Sequence, residues 1–138
     1  MLKKFKHVYQ FRIILERVTP QIWRLIQVPE THTFWDFHMA IQNAMGWTDS
    51  HMHQFETINS KTKDKEIIGV PEYIYDGIVD DFETLDGREL QIGDYFSEES
   101  RSMTYVYDFG DNWKHRIEYE RILFKQNSQK YPACLYGE

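Results

Sequence analysis

The sequence predicts an α+β fold: a mainly antiparallel sheet, one principal helix packed on it, and a C-terminal β-hairpin. Three observations predict it. Residues Met103–Leu123 alternate apolar and polar side chains around a Gly110-Asp111-Asn112 turn. A second alternating run fills Val8–Val18. Between them lies one stretch, residues 34–45, whose apolar residues recur at helical spacing.

In order along the chain, Tyr9, Phe11, Ile13 and Leu15 point one way, with Gln10, Arg12 and Glu16 mostly opposite. Thr19-Pro20 is a turn signal, and Ile22–Val28 resumes as a strand. Pairing Val18 with Gln21 places Phe11, Ile13 and Leu15 on the face of Ile22, Ile26 and Val28, the core face. Thr33 reads as an N-cap and Asp36, three residues on, gives a weaker version of the capping box. Phe34, Phe37, His38, Ile41, Ala44 and Met45 form one stripe, and Gly46 suits the left-handed residue that ends a helix. A strand follows over about His51–Ile58, on which His51, His53, Phe55 and Thr57 share a face.

Ile67–Val70 reads as a short strand. Glu72–Asp94 is acidic, with turn dipeptides Asp76-Gly77 and Asp86-Gly87. Leu90-Gln91-Ile92 pairs briefly and Tyr95–Ser100 forms a helical turn. A three-residue hairpin loop sets Phe109 opposite Trp113, Tyr107 opposite His115, Tyr105 opposite Ile117 and Met103 opposite Tyr119. Asp108 then meets Lys114 on the other face. Tyr131–Glu138 reads as a loop or tail.

The chain's 138 residues, 41% hydrophobic and 16% aromatic, fit one domain with a proper core. No apolar run is long enough for a membrane span, and Met1–His7 carries basic residues but no apolar signal-peptide core. The single Cys134 cannot form an internal disulfide, which fits a reducing compartment, the cytoplasm. The net charge is −6, and residues 51–100 concentrate the acid, with thirteen carboxylates against four Lys and Arg. That balance argues against a nucleic-acid partner, because phosphate affinity needs clustered Lys and Arg. A modest basic face would need Lys3, Lys4, Arg12 and Arg24 to meet Arg116 and Arg121.

No phosphate loop, dinucleotide fingerprint, Gly-x-Ser-x-Gly elbow or Cys-x-x-Cys pair is present. Chemistry therefore falls to the histidines. His51 and His53 project from one strand face, and His38 lies on the helix stripe that packs back on the sheet. Three imidazoles converging would make a zinc or similar site. The simpler reading is that His38 is a core histidine bonded to backbone, with His51 and His53 capping and lining the helix–strand corner. His115 faces the aromatic layer, where a bond to the Tyr107 phenol is its simplest role. Asp108 and Asp111 flank the hairpin turn and fit either metal or acid–base work, or pairing with Lys114 and the turn backbone. The acidic run of Asp76, Asp80, Asp81, Glu83 and Asp86 lacks EF-hand spacing and reads as a solvated face or a docking surface for a basic partner.

Taken together, Ile22-Trp23-Arg24, the helix ending in Gly46 with Trp47-Thr48-Asp49-Ser50-His51-Met52-His53-Gln54-Phe55, and Tyr107-Asp108-Phe109-Gly110-Asp111-Asn112-Trp113-Lys114-His115 resemble the plasmid pRiA4b ORF-3-like family. This family is also met as a transposon passenger-type protein. The resemblance covers about residues 5–137, with His38 and Tyr131-Pro132-x-Cys134 matching further family positions. It implies a compact α+β domain often carried by plasmids and mobile elements, and no established reaction. It also implies that relatives usually continue into a Cys- and acid-containing segment rich in Pro and Gly. A site needing a later partner for Cys134 would then be incomplete in this chain.

The expected function is a non-catalytic binding or protein-interaction module for a protein or small-molecule ligand, with no cofactor. Its candidate surface is Trp47, Asp49, His51, His53, Asp108, Asp111, Trp113 and His115. The alternative is a metal-dependent, hydrolase-like enzyme with a divalent ion such as zinc on His38, His51 and His53.

Overall fold

The computed structural model describes residues 4–59, 62–71 and 84–137. These form one eight-stranded sheet crossed by one helix. The elements are β1 (His7–Leu15), β2 (Ile22–Pro29), α1 (Phe34–Met45), β3 (His53–Ile58), β4 (Lys65–Gly69), β5 (Thr84–Asp86), β6 (Ser102–Tyr107), β7 (Trp113–Phe124) and β8 (Ala133–Gly137). The sheet order is β5-β4-β3-β6-β7-β1-β2-β8. Every pairing is antiparallel except β4 with β5. The acidic stretch 72–83, including Asp76, Asp80, Asp81 and Glu83, lies outside the described residues.

The helix forms where its caps dictate. The Thr33 hydroxyl accepts from the Asp36 N–H and the Asp36 carboxylate accepts from the Thr33 N–H, a complete capping box. Gly46 ends the helix at φ +79°, a conformation that costs glycine little. The Arg24 guanidinium, reaching over from β2, donates to the Ala44 carbonyl at 3.0 Å and satisfies one helix-end acceptor. Thr33→Ala removes the hydroxyl half of the box and leaves the backbone N–H half, and a loss of about 1 kcal/mol in urea unfolding is expected.

The buried side of α1 seats on the sheet face carrying Phe11, Ile13, Ile26, Phe55, Tyr105 and Ile117. Phe37 stacks on Phe55 at 5.7 Å between ring centroids and meets Phe11 at 4.7 Å. Ile92 and Phe96, from a connection containing a 3-10 turn at Ile92–Asp94, close the end of this core. The opposite face is mixed, with Arg12 bonded to Glu120 and Arg116 to Glu118 beside the buried apolar side chains of Val8, Ile14, Leu25 and Val106. Arg24 serves the helix on the other face, so these cations do not gather on one basic face.

Four details depart from the sequence expectation. β1 stops at Leu15, because Arg17 takes φ +63° and turns the chain. The β1–β2 pairing is therefore Phe11 with Ile26 and Leu15 with Ile22, two residues from the expected register. The β6–β7 loop is Asp108–Asn112, five residues long, so Tyr107 faces Trp113 and Tyr105 faces His115. Asp108 does not sit opposite Lys114, whose partner is Val106. The helical turn expected at Tyr95–Ser100 lies earlier, at Ile92–Asp94, while Gln91 bridges Thr33 as a brief pair. Finally, the expected tail contains β8, which extends the sheet beyond β2 through Ala133 with Gln27 and Cys134 with Ile26.

Candidate functional site

Two loops meet beside the C-terminal end of α1: residues 46–52, between α1 and β3, and residues 108–112, the hairpin loop. What shapes them is a set of buried polar groups beneath. On α1, His38 and Gln42 are one turn apart and face the sheet, fully buried. Both reach the phenol of Tyr105 in β6, His38 Nδ1 at 2.6 Å and Gln42 Nε2 at 2.9 Å. An amide N–H can only donate, so the phenol oxygen accepts from Gln42 and its own hydrogen goes to His38 Nδ1. His38 Nε2 then carries the ring proton and donates to Asp49 Oδ1 at 2.8 Å. The Asp49 backbone N–H donates to Gln42 Oε1 at 2.8 Å. The four residues thus close a ring of hydrogen bonds in which each donor has one acceptor. Asp49 reaches it from a left-handed backbone, φ +54°.

A second chain holds Trp47. Its indole N–H donates to His115 Nε2 at 3.2 Å, and His115 Nδ1–H donates to the Tyr105 carbonyl at 3.2 Å. This bond to Tyr105, rather than one to the Tyr107 phenol, is what fixes the His115 tautomer. Tyr107 instead accepts the Ser50 N–H at 2.9 Å. The two loops are joined directly, Asp108 N–H to the Met52 carbonyl at 2.8 Å. Asp108, at φ +63°, turns its carboxylate onto the Gly110 and Asp111 N–H groups. It shapes the loop instead of pairing with Lys114.

The three histidines of the alternative metal site do not all converge. His38 and His53 do meet, with rings parallel (8°) and centroids 3.5 Å apart. Imidazole lone pairs lie in the ring plane, so two rings stacked this way cannot aim both at one ion. His38 also has both nitrogens engaged. β3 begins at His53, which leaves His51 outside the strand and largely exposed. There its ring edges against Tyr107 and its Nε2 stands 3.7 Å from the Asp108 carboxylate. Among the described residues, no three His, Cys, Asp or Glu side chains are grouped to hold a metal ion.

Burial fixes the charge state of these imidazoles. It pushes the His53 pKa down to about 3, helped by neighbouring His38. It lowers His115 to about 4 against its backbone bonds, and lowers His38 against the pull of Asp49. All three are neutral near pH 7, which is the state the bond directions above require.

The resulting surface is an aromatic and acidic corner. Trp47 and Trp113 are half-buried with centroids 5.8 Å apart, and Trp47 lies 5.3 Å from Tyr107. Around them Asp49, His51 and Asp111 are exposed and Asp108 is half-exposed. Of the expected surface residues, His53 and His115 lie beneath it as buried supports. Gln42 and Tyr105, absent from the expected set, complete the support. The signal for Gln42 was a polar residue four after His38 on an apolar stripe.

Three comparisons place this arrangement. A family model described as "Plasmid pRiA4b ORF-3-like protein" matches residues 7–138. The uncharacterized protein y4hQ of Sinorhizobium fredii is 32% identical over 118 residues, covering 84% of this chain and 55% of that protein. The chain thus spans about half the length of this curated relative. A crystal structure of the protein of unknown function MM3350 from Methanosarcina mazei Go1 superimposes with a TM-score of 0.87 at 40% identity, covering 99% of this chain and 72% of that one. No described helix is long and apolar enough to cross a membrane. With nearly its whole length matched by the family model, the chain belongs to the plasmid pRiA4b ORF-3-like family.

Proposed function

We propose that the chain is a non-catalytic binding module, whose ligand-facing surface is the corner formed by residues 46–52 and 108–113. The closed ring Gln42–Tyr105–His38–Asp49 carries this reading. Groups that would do chemistry, an imidazole and a phenol, are sealed from solvent and spend their hydrogen bonds on holding a surface loop. A loop fixed in this way presents Trp47 and Trp113 preorganised, which lowers the entropy cost of binding. Half-exposed tryptophans beside carboxylates suit a protein or small-molecule partner and repel a polyanion. The lone Cys134 fits a cytoplasmic setting.

The four Trp indole N–H signals report on this directly. In a fragment screen read by nitrogen–proton spectra, hits are expected to cluster on Trp47, Trp113 and the two loops, and to vanish in Trp113→Ala. Hits scattered over the sheet, or none, would overturn the corner as a binding surface. In this reading the module also carries no resident metal. Stoichiometric zinc in the purified chain, removed by His38→Ala or His53→Ala, would instead favour the enzyme alternative.

A further inference from the structure

The opposite end of β3 carries a second concave surface, far along the strand from the histidines. Ile58 at the end of β3, Glu66 on β4, and Leu90, Asp94, Tyr95 and Phe96 from the connection before β6 line a groove of about 480 Å³. Its floor is firmly built. Phe96 is buried in the core, and Tyr95 packs edge-on against Phe34 at 5.3 Å. At Gly93 the backbone lies so close to the Tyr9 hydroxyl that an added Cβ would stand 2.8 Å from it. The 3-10 turn is therefore pinned against β1.

The groove combines two features that a solvated strand end has no need of. Ile58, which lines it, is 56% exposed, an uncovered β-branched side chain at a concave site. The only charged side chains among the described residues lining it are the carboxylates Glu66 and Asp94. Both act on the Tyr95 phenol, whose pKa is raised by burial first and by these two charges next. An apolar floor, an aromatic ring and two carboxylates with no lining cation among the described residues make a receptor for a basic group flanked by apolar ones.

We infer that this groove docks an extended basic segment of a protein partner, with a Lys or Arg head between Glu66 and Asp94 and apolar neighbours on Ile58 and Leu90. This surface is separate from the Trp47 corner, so either can fail without the other. The probe is a capped Leu-Arg-Leu-Arg-Leu peptide titrated into labelled protein, with Leu-Glu-Leu-Glu-Leu as control. Saturable shifts at Ile58, Glu66, Asp94 and Tyr95 are expected for the basic peptide alone, weakening as salt rises. The volume-conserving pair Glu66→Gln and Asp94→Asn should weaken binding about tenfold while leaving the rest of the spectrum unchanged. Ile58→Ser, which keeps both charges, should weaken it as well. No saturable shift, shifts mapping elsewhere, equal binding of the acidic control, or undiminished binding by the charge variants would each overturn the proposal.

Discussion

Tyr105→Phe should lower stability by about 2–4 kcal/mol near pH 7, although it removes a single oxygen from a ring that stays buried. The fold around the ring is otherwise undisturbed, since Phe55 and His53 pack on the ring itself. The cost arises in what the oxygen leaves behind. Gln42 Nε2 loses its acceptor and His38 Nδ1 loses its donor, and neither side chain is exposed enough for water to replace them. Each stranded group costs roughly 1–3 kcal/mol. Because the hydrogen bonds form a ring, the damage reaches the surface: Asp49 N–H leans on Gln42 and its carboxylate on His38. Faster amide exchange at Asp49 and Ser50 should accompany the loss in urea unfolding. Removing both partners tests the ring as a unit. Tyr105→Phe with His38→Phe should cost less than the sum of the two single changes. A single-change loss below about 0.5 kcal/mol, or strict additivity, would show that the ring is not coupled.

The elements that were legible in the sequence share a cause: each is specified by local geometry. Thr33, Asp36 and Gly46 announce both helix ends because capping is a matter of three or four neighbouring residues. The core faces of β1, β2, β6 and β7 were legible because strand side chains alternate strictly. That same alternation hid the registers. Slipping a strand pair by two residues returns every side chain to the same face, so burial pattern cannot tell Tyr107 opposite His115 from Tyr107 opposite Trp113. The deciding feature is the left-handed backbone at Asp108, tied to Met52 in another loop. No window of sequence around the hairpin contains that contact. β8 escaped notice for a related reason. Among the described residues it pairs on one side only, so it lacks the buried alternation of an inner strand.

The site was legible in its membership more than in its arrangement. Trp47, Asp49, Asp108 and Trp113 lie on the two neighbouring loops and the strand start beside them, and His38 meets His53. His51 fails because the strand was assumed to run two residues further than it does. Tyr107 accepts the Ser50 N–H and the Met52 carbonyl accepts from Asp108, and these tertiary bonds hold residues 50–52 in a loop. Asp49 at positive φ is a second such case. The bonds of residues 50–52 reach partners more than fifty residues away, and those of Asp49 reach back to Gln42 and His38 on the helix, contacts on which local propensity has no voice.

Acid should unfold this chain in the window where histidines, not carboxylates, titrate. His53 falls from an ordinary 6.5 to about 3 in the folded state and His115 to about 4. A folded pKa below the unfolded one means that the unfolded chain binds more protons. The stability these neutral rings confer is therefore complete above about pH 6.5 and is lost as pH falls toward their folded values. At about 1.4 kcal/mol per pH unit for each ring, the two together remove roughly 3 kcal/mol per unit between about pH 6 and 5. Over two units that rivals the whole stability of a small domain. His32 and His38 are also lowered by burial and steepen the fall. Model carboxylates titrate near 4 and so contribute little above about pH 5. Urea unfolding at about pH 7, 6 and 5, at constant ionic strength, gives the slope and hence the number of protons. His115→Gln keeps a donor for the Tyr105 carbonyl and an acceptor for the Trp47 indole but cannot titrate. It should flatten the slope by about one proton, near 1.4 kcal/mol per unit. An unchanged slope would mean that His115 takes up its proton without unfolding the chain. The loss should also begin at the corner. A proton on His38 Nδ1 abolishes its acceptance from Tyr105, and one on His115 Nε2 abolishes its acceptance from Trp47, so both supports of residues 46–52 fail together. The Trp47 indole signal should therefore broaden at a higher pH than the signals of Phe11 or Ile26 in the central strands.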